Sequence, residues 1–451
     1  MWHQNSSSLW QRAWNRIFRA KDFYSSIRVL IALAFILGIT PYHVTQIGYH
    51  GERVVRESWY GFANAISRWL IFAYCYTHVN LHNESLIGYF MRNHISLMGT
   101  RIHDIGGIIA AIFIFIAPLF LRRHLRRSFE GLVRVDRRLL RINYNVDYPR
   151  IQFESLRMLV IITALDATII SVCLTCFAQM EVRASWQLIF IMTYELITIS
   201  VTVFMFCLLA LSVRRRLSRL HRVLKNLAHQ WDTRSLKAVQ KQRSLQCLDS
   251  FSMYTIVTKD PAEIIQESME IHHLICEAAA TANKYFTYQL LTIISIAFLI
   301  IVFDAYYVLE TLLGKSKRES KFKTVEFVTF FSCQMILYLI AIISIVEGSN
   351  RAIKKSEKTG GIVHSLLNKT KSVEVREKLQ QFSMQLMHLK INFTAAGLFN
   401  IDRTLYFTVS SLLFHRYLLI QKSFPSMLSD KRSLNNLSHH FAAIHIEFAQ
   451  Q

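Results

Sequence analysis

The apolar positions of this chain gather into long blocks separated by basic stretches. Blocks of about 17 to 26 residues are the length a helix needs to cross the hydrocarbon core of a bilayer. They predict spans near residues 105–121, 158–179, 186–211, 285–308 and 325–346. An earlier block, 59–79, carries Arg68, which as part of a span has to snorkel or pair internally. A seventh, 404–421, becomes mostly apolar from Thr404 onward and is weakened by His415 and Arg416. Residues 29–39 are apolar but too short to span and end at Thr40-Pro41, which predicts an interfacial or re-entrant helix.

Between the blocks a second pattern appears, in which apolar residues return every three or four positions among charged ones. Leu217, Leu220, Leu224 and Leu227 extend the fourth span among Arg214, Arg215, Arg216, Arg219 and Arg222. A helix starts at Asp260-Pro261-Ala262-Glu263, with Asp as N-cap and Pro at the first helical position, and its stripe of Ile264, Ile271, Ile275 and Ala278 leads into the fifth span. Leu379, Phe382, Leu386, Leu389 and Phe393 form a third stripe, continued by an amphipathic helix from Ile391 into the last apolar block. Three such helices on one side of a membrane predict a packed bundle.

Composition agrees: 52% of residues are apolar and only five are proline, so helices dominate. The net charge of +22 lies between the apolar blocks rather than on one patch, which points to loops facing anionic lipid and away from nucleic acid. With the N-terminal segment and the second, fourth and sixth loops on one side, that side holds 38 Lys and Arg against 11 on the other. The larger count marks the cytoplasmic side. The expected architecture is therefore all-α and polytopic, with seven transmembrane helices, a cytoplasmic N-terminus and an extracellular C-terminus. Its parts are a cytoplasmic segment with a short interfacial helix (1–58), helices one to four (59–211), a cytoplasmic helical region (212–284) and helices five and six (285–346). Further cytoplasmic helices (347–403), a seventh span (404–421) and an external, disordered tail (422–451) follow. The triplets beginning at Asn83 and Asn436 fit glycosylation sequons on the external side.

Chemistry is sparse. No phosphate-binding glycine loop, HExxH or GxSxG element is present, which argues against an enzyme, and no cofactor is implied. Cys173 and Cys176 form a CxxC inside an apolar helix, and Gly106-Gly107 reads as a helix-packing pair. The candidates are polar residues within spans: Asp166, Tyr194, Glu195, Asp304, Tyr306, Tyr307, Gln334 and Tyr338. Carboxylates at such depth face the bundle interior, a cavity or a partner. An interhelical hydrogen bond is one reading; a ligand cavity lined by tyrosines is the other. Asp402 and Arg403 stand at the mouth of the last block.

Thr394-Ala-Ala-Gly-Leu-Phe-Asn-Ile-Asp-Arg-Thr-Leu-Tyr-Phe407 resembles the start of the last helix of insect gustatory receptors. Tyr285-Phe-Thr-Tyr288, Val302-Phe-Asp-Ala-Tyr306 and Val346-Glu-Gly-Ser-Asn-Arg351 carry the resemblance upstream. The family's Thr-Tyr, five residues, Gln-Phe signature is replaced by His415-Arg-Tyr-Leu-Leu-Ile-Gln-Lys422, leaving Tyr417 and Gln421 as the nearest counterparts of pore-helix residues. Val409-Ser410 matches a read-through splice donor, which implies a variant end; a transcript spliced immediately before the Val409 codon disproves that. The resemblance implies a taste receptor in the plasma membrane of sensory neurons. Such a receptor is a subunit of a ligand-gated, non-selective cation channel, homo- or hetero-tetrameric, with the cytoplasmic helices as a subunit-joining anchor. A G-protein-coupled seven-span receptor and a non-conducting variant subunit are the alternatives.

Overall fold

The computed structural model describes residues 20–47, 52–82, 84, 94–179, 184–243, 260–312, 324–407 and 411. Asn83, Tyr417, Gln421 and Asn436, most of the last apolar block and the tail lie outside them. The described chain is mostly helical. Short helices α1 (Phe23–Ser26) and α2 (Arg28–Ile36) precede a hairpin of β1 (Tyr42–Ile47) and β2 (Glu52–Glu57). Next come α3 (Trp59–Leu81), α4 (His94–Phe120), α5 (Arg122–Arg141) and α6 (Tyr148–Gln179). Three very long helices follow: α7 (Trp186–Arg243), α8 (Pro261–Leu312) and α9 (Thr324–Lys369). After α10 (Val373–His388) a second small hairpin pairs β3 (Thr394–Ala395) with β4 (Phe399–Asn400).

Helices α7, α8 and α9 have 58, 52 and 46 residues. At 1.5 Å per residue they run roughly 70 to 90 Å, more than twice the thickness of a bilayer core. No proline interrupts them, and Pro261 stands where its missing N–H is harmless, at the first position of α8. Asp260 caps that end, accepting from Ala262 N at 3.3 Å. Each long helix thus has one apolar half and one amphipathic half, basic on α7 and α9 and glutamate-bearing on α8. Four described helices, α6 to α9, contain stretches long and apolar enough to cross a membrane, and α4 contributes a shorter one, Ile105–Ile116. The apolar part of α7 is mostly buried among its neighbours. Those of α6 and α9 are mostly open, with Val160, Ile161, Ile336, Ile340 and Ile343 facing outward as lipid-exposed residues do.

At the basic ends the helices pack as a bundle. Leu217, Leu220 and Leu224 of α7, Ile271 and Ile275 of α8, and Leu379 and Phe382 of α10 are fully buried in one core. Helix α5 belongs to the same core, and the sequence reading treated its residues only as a basic loop. Its Leu125, Phe129, Leu132, Val135 and Leu139 recur every three or four positions and are all buried. Each such side chain removed from water contributes about 1.5–3 kcal/mol. Ser128 Oγ donates to Ala278 O (2.9 Å), which registers α5 on α8. Within lipid no equivalent hydrophobic force acts between helices, so this water-facing bundle is where burial is decisive.

The core also holds a buried ion pair. Arg216 of α7 is fully buried; its Nε and Nη2 donate to the two carboxylate oxygens of Asp136 on α5, at 2.8 and 2.5 Å. Tyr148 Oη adds a third bond to Asp136 (3.1 Å), and the guanidinium lies 4.7 Å from the Phe23 ring centroid. Four elements, α1, α5, α6 and α7, therefore meet at one charge pair.

Two expectations need correction. The fold is not purely α. Between Thr40-Pro41 and α3 the chain forms the β1–β2 hairpin, registered from Tyr42 opposite Glu57 to Ile47 opposite Glu52. The amphipathic helix from Ile391 is also absent: α10 ends at His388 and residues 391–401 fold as the β3–β4 hairpin. Burial there alternates strictly, with Ile391, Phe393 and Ala395 inside and Asn392 exposed, which is the period of a strand. Ala396 and Gly397 then take φ of 50° and 72°, and Leu398 N closes the turn on Ala395 O at 3.0 Å. Two successive positive φ values end any right-handed helix.

Candidate functional site

Two polar sites are neighbours near the middle of the long helices, with Ser344 of α9 on the wall of one and Glu347 of α9 in the other. In the apolar half, α6, α7 and α9 line a partly open cavity of about 70 Å³. Asp166, Ser200, Tyr338 and Ser344 are polar residues on its wall, which is otherwise lined by side chains such as Ile199, Val203 and Phe204. Asp166 is buried, and its Oδ1 accepts from Ser200 Oγ at 2.8 Å. Tyr338 lies within electrostatic reach of Glu195 and Asp304. Asp304 is buried on α8. Glu195 packs its carboxylate against Gly107 of α4, where a Cβ would stand 3.0 Å from Oε1. That glycine makes room for the carboxylate between helices. The volume suffices for a couple of waters, each occupying about 30 Å³, and falls well below the roughly 300 Å³ of small-molecule pockets. A larger ligand enters only if α6, α7 and α9 part.

Not every candidate joins this group. Tyr194 donates from Oη to Leu37 O (2.6 Å), at the end of α2. Its ring stacks on Phe190 and Phe115 with centroids 5.4 and 5.8 Å away, beside Phe72 of α3. It ties α2, α3 and α4 to α7. Tyr306 and Tyr307 lie on α8, their side chains outside the described set; Gln334 is half-buried on α9.

The second site is a clasp around the β3–β4 hairpin, built from α8 and α9. Asn283 of α8 faces Thr394 as a strand would: its Nδ2 donates to Thr394 Oγ1 (3.2 Å) and its Oδ1 accepts from Thr394 N (3.1 Å). One turn on, Thr287 Oγ1 accepts from Ala396 N at 2.8 Å. Phe206 of α7 meets Phe286 and Phe393 edge-on, both at 5.6 Å, and seals the hairpin's inner face. From the hairpin the chain passes Ile401 to Asp402, whose Oδ1 accepts from Thr404 N (2.9 Å) as an N-cap for the helical turn at 404–407. Arg403 Nη2 stands 3.4 Å from Glu347 Oε2 on α9, and Arg351 Nε holds Oε1 of the same carboxylate at 2.6 Å. Burial pushes Glu347 upward, but these two cations outweigh it and hold the carboxyl below its ordinary range. Tyr406 Oη reaches Ile343 O at 3.4 Å.

Three of the quoted motifs meet here. Thr287 comes from Tyr285–Tyr288, Glu347 and Arg351 from Val346–Arg351, and the hairpin with Asp402 and Arg403 from the last motif. Sequence reading singled out the motifs and the Asp402–Arg403 pair, but missed Asn283 and the Asp136–Arg216 pair. Asn283 stands four residues before Thr287, one helical turn away on the same face, which was the available signal. Asp136 and Arg216 are 80 residues apart and left none.

Long apolar helices that fuse into a basic bundle, with a hairpin clasp leading into the helical turn at 404–407, define a mostly helical membrane-protein architecture. The chain belongs to the family described as 7tm chemosensory receptor, which it matches over residues 27–420. It is 56% identical over 418 residues to gustatory receptor 28b of Drosophila melanogaster, covering 92% of this chain and 89% of that protein. Gustatory receptor 28a of the same fly is 32% identical over 454 residues, covering 96% and 99%. Among solved structures, the insect olfactory receptor OR5 from Machilis hrabei shares the fold with a TM-score of 0.59 at 12% identity, covering 88% of this chain and 99% of that one. OR5 in complex with eugenol gives 0.56 at 11%, covering 89% and 100%.

Proposed function

We propose that this chain is a subunit of a ligand-gated, non-selective cation channel that senses small-molecule tastants in the plasma membrane of sensory neurons. It crosses seven times, with the N-terminus and the helical bundle inside and the C-terminus outside, and assembles as a homo- or hetero-tetramer with related subunits. The observation that carries this reading is the clasp. It fixes the start of the last helix to α8 and α9, while α9 also lines the interhelical cavity with α6 and α7. A ligand that parts those helices binds the open arrangement better and so shifts the equilibrium toward it. The relatives' names as gustatory receptors and the eugenol complex of OR5 support a small-molecule stimulus. A second reading, a non-conducting partner subunit, is favoured by His415–Lys422 standing where the family signature is expected.

Two measurements test this. Tags on each terminus, probed on intact and permeabilised cells, are expected to show an internal N-terminus and an external C-terminus; the reverse orientation overturns the topology and revives coupling to G proteins. Currents are then recorded from cells expressing the chain alone and with related subunits, over a tastant panel. Tastant-evoked cation current from the chain alone establishes conduction. Altered partner currents with none alone establish the partner reading, and no effect in either setting overturns both.

A further inference from the structure

A further cavity among the described residues adjoins the clasp and shares Glu347, Arg351 and Arg403 with it. It is a cleft of about 510 Å³ at the basic end, between the start of α6, the extension of α7 and the extension of α9. Ten of its seventeen lining residues are Lys or Arg and three are acidic. On α7, Arg215, Arg219 and Arg222 occupy positions i, i+4 and i+7; on α9, Arg351, Lys355 and Lys358 repeat that spacing. The two rows face each other with cations one helical turn, about 5 Å, apart along each helix.

The carboxylates do not neutralise this set. Glu154 pairs with Arg215 and lies 3.8 Å from Arg150, and Glu347 is shared by Arg351 and Arg403. Arg214, Arg219, Arg222, Lys354, Lys355 and Lys358 have no carboxylate within ion-pair distance among the described residues. Burial, reinforced by neighbouring cations, holds Arg214 and Lys355 below their ordinary values. A second observation is independent of charge. Asn350, which lines the cleft and is only 6% exposed, has a side-chain Nδ2 donor without a partner among the described residues, and Arg215 Nε is in the same state. Buried donors without acceptors are uncommon in folded proteins, and cations crowded in a partly dry cleft repel one another. An anion with many acceptor oxygens answers both.

We propose that this cleft is a binding site for a polyphosphorylated anion, with phosphate groups bridging the α7 and α9 cation rows. Several phosphates on one small scaffold fit two rows of cations at one-turn spacing, whereas a single sulfate-sized ion reaches only one or two of them. The same chemistry comes from two sources, a phosphoinositide headgroup at the membrane surface or a soluble inositol polyphosphate. Because this anion would sit across α7 and α9, next to Arg403, it would bias the same helices that the clasp holds.

The test uses the full chain, purified into phosphatidylcholine nanodiscs, with binding read by thermal shift and by titration. Probes are inositol hexakisphosphate, a short-chain phosphatidylinositol bisphosphate and inorganic sulfate. Either polyphosphate is expected to bind at least about tenfold more tightly than sulfate, with an affinity that falls steeply with salt. Tighter binding of the lipid assigns the site to the membrane surface, and tighter binding of the free polyphosphate assigns it to a soluble ligand. The triple variant Arg222→Gln, Lys354→Gln, Lys358→Gln changes only exposed side chains and is expected to lower affinity about tenfold or more. A control triple, Lys371→Gln, Arg376→Gln, Lys390→Gln, makes the same charge change on exposed positions outside the cleft and is expected to leave affinity unchanged. Equal loss in both triples, or no preference over sulfate, overturns the proposal and leaves a set of solvated cations.

Discussion

At the residue scale the bundle depends on a few buried polar groups that no local pattern announces. Arg216 and Asp136 are the clearest case. Burial holds the Asp136 carboxyl above its ordinary range, and the Arg216 guanidinium and the Tyr148 hydroxyl offset that only in part. Removing one partner leaves the other charged and dry. Arg216→Met is therefore expected to destabilise the protein by about 3–5 kcal/mol, and the double variant Arg216→Met, Asp136→Leu to recover most of that loss. Heating detergent-solubilised variants and following the surviving monodisperse fraction measures both; a double variant no better than the single removes the argument. Two buried histidines give a pH signature. His221, bonded to Thr359 Oγ1 at 2.8 Å, and His272, beside Cys276, are each lowered to about 4, by burial first and then by Lys355 and Lys225 for His221 and by His273 for His272. Their folded values lie below the ordinary 6.5, so the unfolded chain takes up protons first as pH falls. Stability is full above pH 6.5 and declines from there toward pH 4. Melting temperature measured between these limits is expected to drop with acidification, and His221→Gln with His272→Phe to flatten the slope. An unchanged slope refutes the assignment.

Elements were legible to the extent that their pattern was long. Blocks of twenty apolar residues and the stripe of Leu217, Leu220, Leu224 and Leu227 repeat often enough to identify a helix and its inner face. Helix α5 was equally periodic, but ten basic residues over 122–157 drew the reading toward a loop. The β3–β4 hairpin was harder. Ile391, Phe393 and Ala395 give only three repeats of a strand period, and they follow an amphipathic helix whose register Phe393 also happens to satisfy. The helix already ends at His388, the Ala396-Gly397 turn reverses the chain, and what holds the hairpin is side chains more than a hundred residues earlier. The turn supplies a test. Gly397→Ala meets no atom within 4 Å but must keep a φ of 72°, so it is expected to cost about 1 kcal/mol. Asn283→Ala, which removes both bonds to Thr394 and leaves Thr394 N unpaired, is expected to cost about 1–3 kcal/mol. Limited proteolysis at 390–403 reads the result: both variants should be cut faster than the parent, and Asn283→Ala fastest. Equal cutting rates contradict the clasp.

For the whole molecule, α7, α8 and α9 each run roughly 70 to 90 Å without a break, with the cavity and the clasp side by side near the middle of α9 and the bundle toward the basic end. Tightly packed interiors transmit displacement rather than absorbing it, so a change between α6, α7 and α9 at the cavity is felt at the clasp, one turn along α9. Sequence reading carried the Leu217–Leu227 stripe on from the fourth span and led the Ile264–Ala278 stripe into the fifth. In the structure α7, α8 and α9 are each one continuous helix. This continuity separates two classes of variant in the proposed channel. Tyr338→Ala enlarges the cavity beyond about 70 Å³ and should move the tastant concentration for half-maximal response, since it alters ligand contact. Glu347→Gln weakens the Arg403 contact without touching the cavity. That pair is half exposed and contributes little to stability, so its loss should change the size of the maximal current and shift the half-maximal concentration far less. Dose–response curves for the two variants, recorded with whichever partner subunits restore current, decide the matter. If both variants shift the half-maximal concentration alike and leave the maximum alone, the clasp does not transmit the opening.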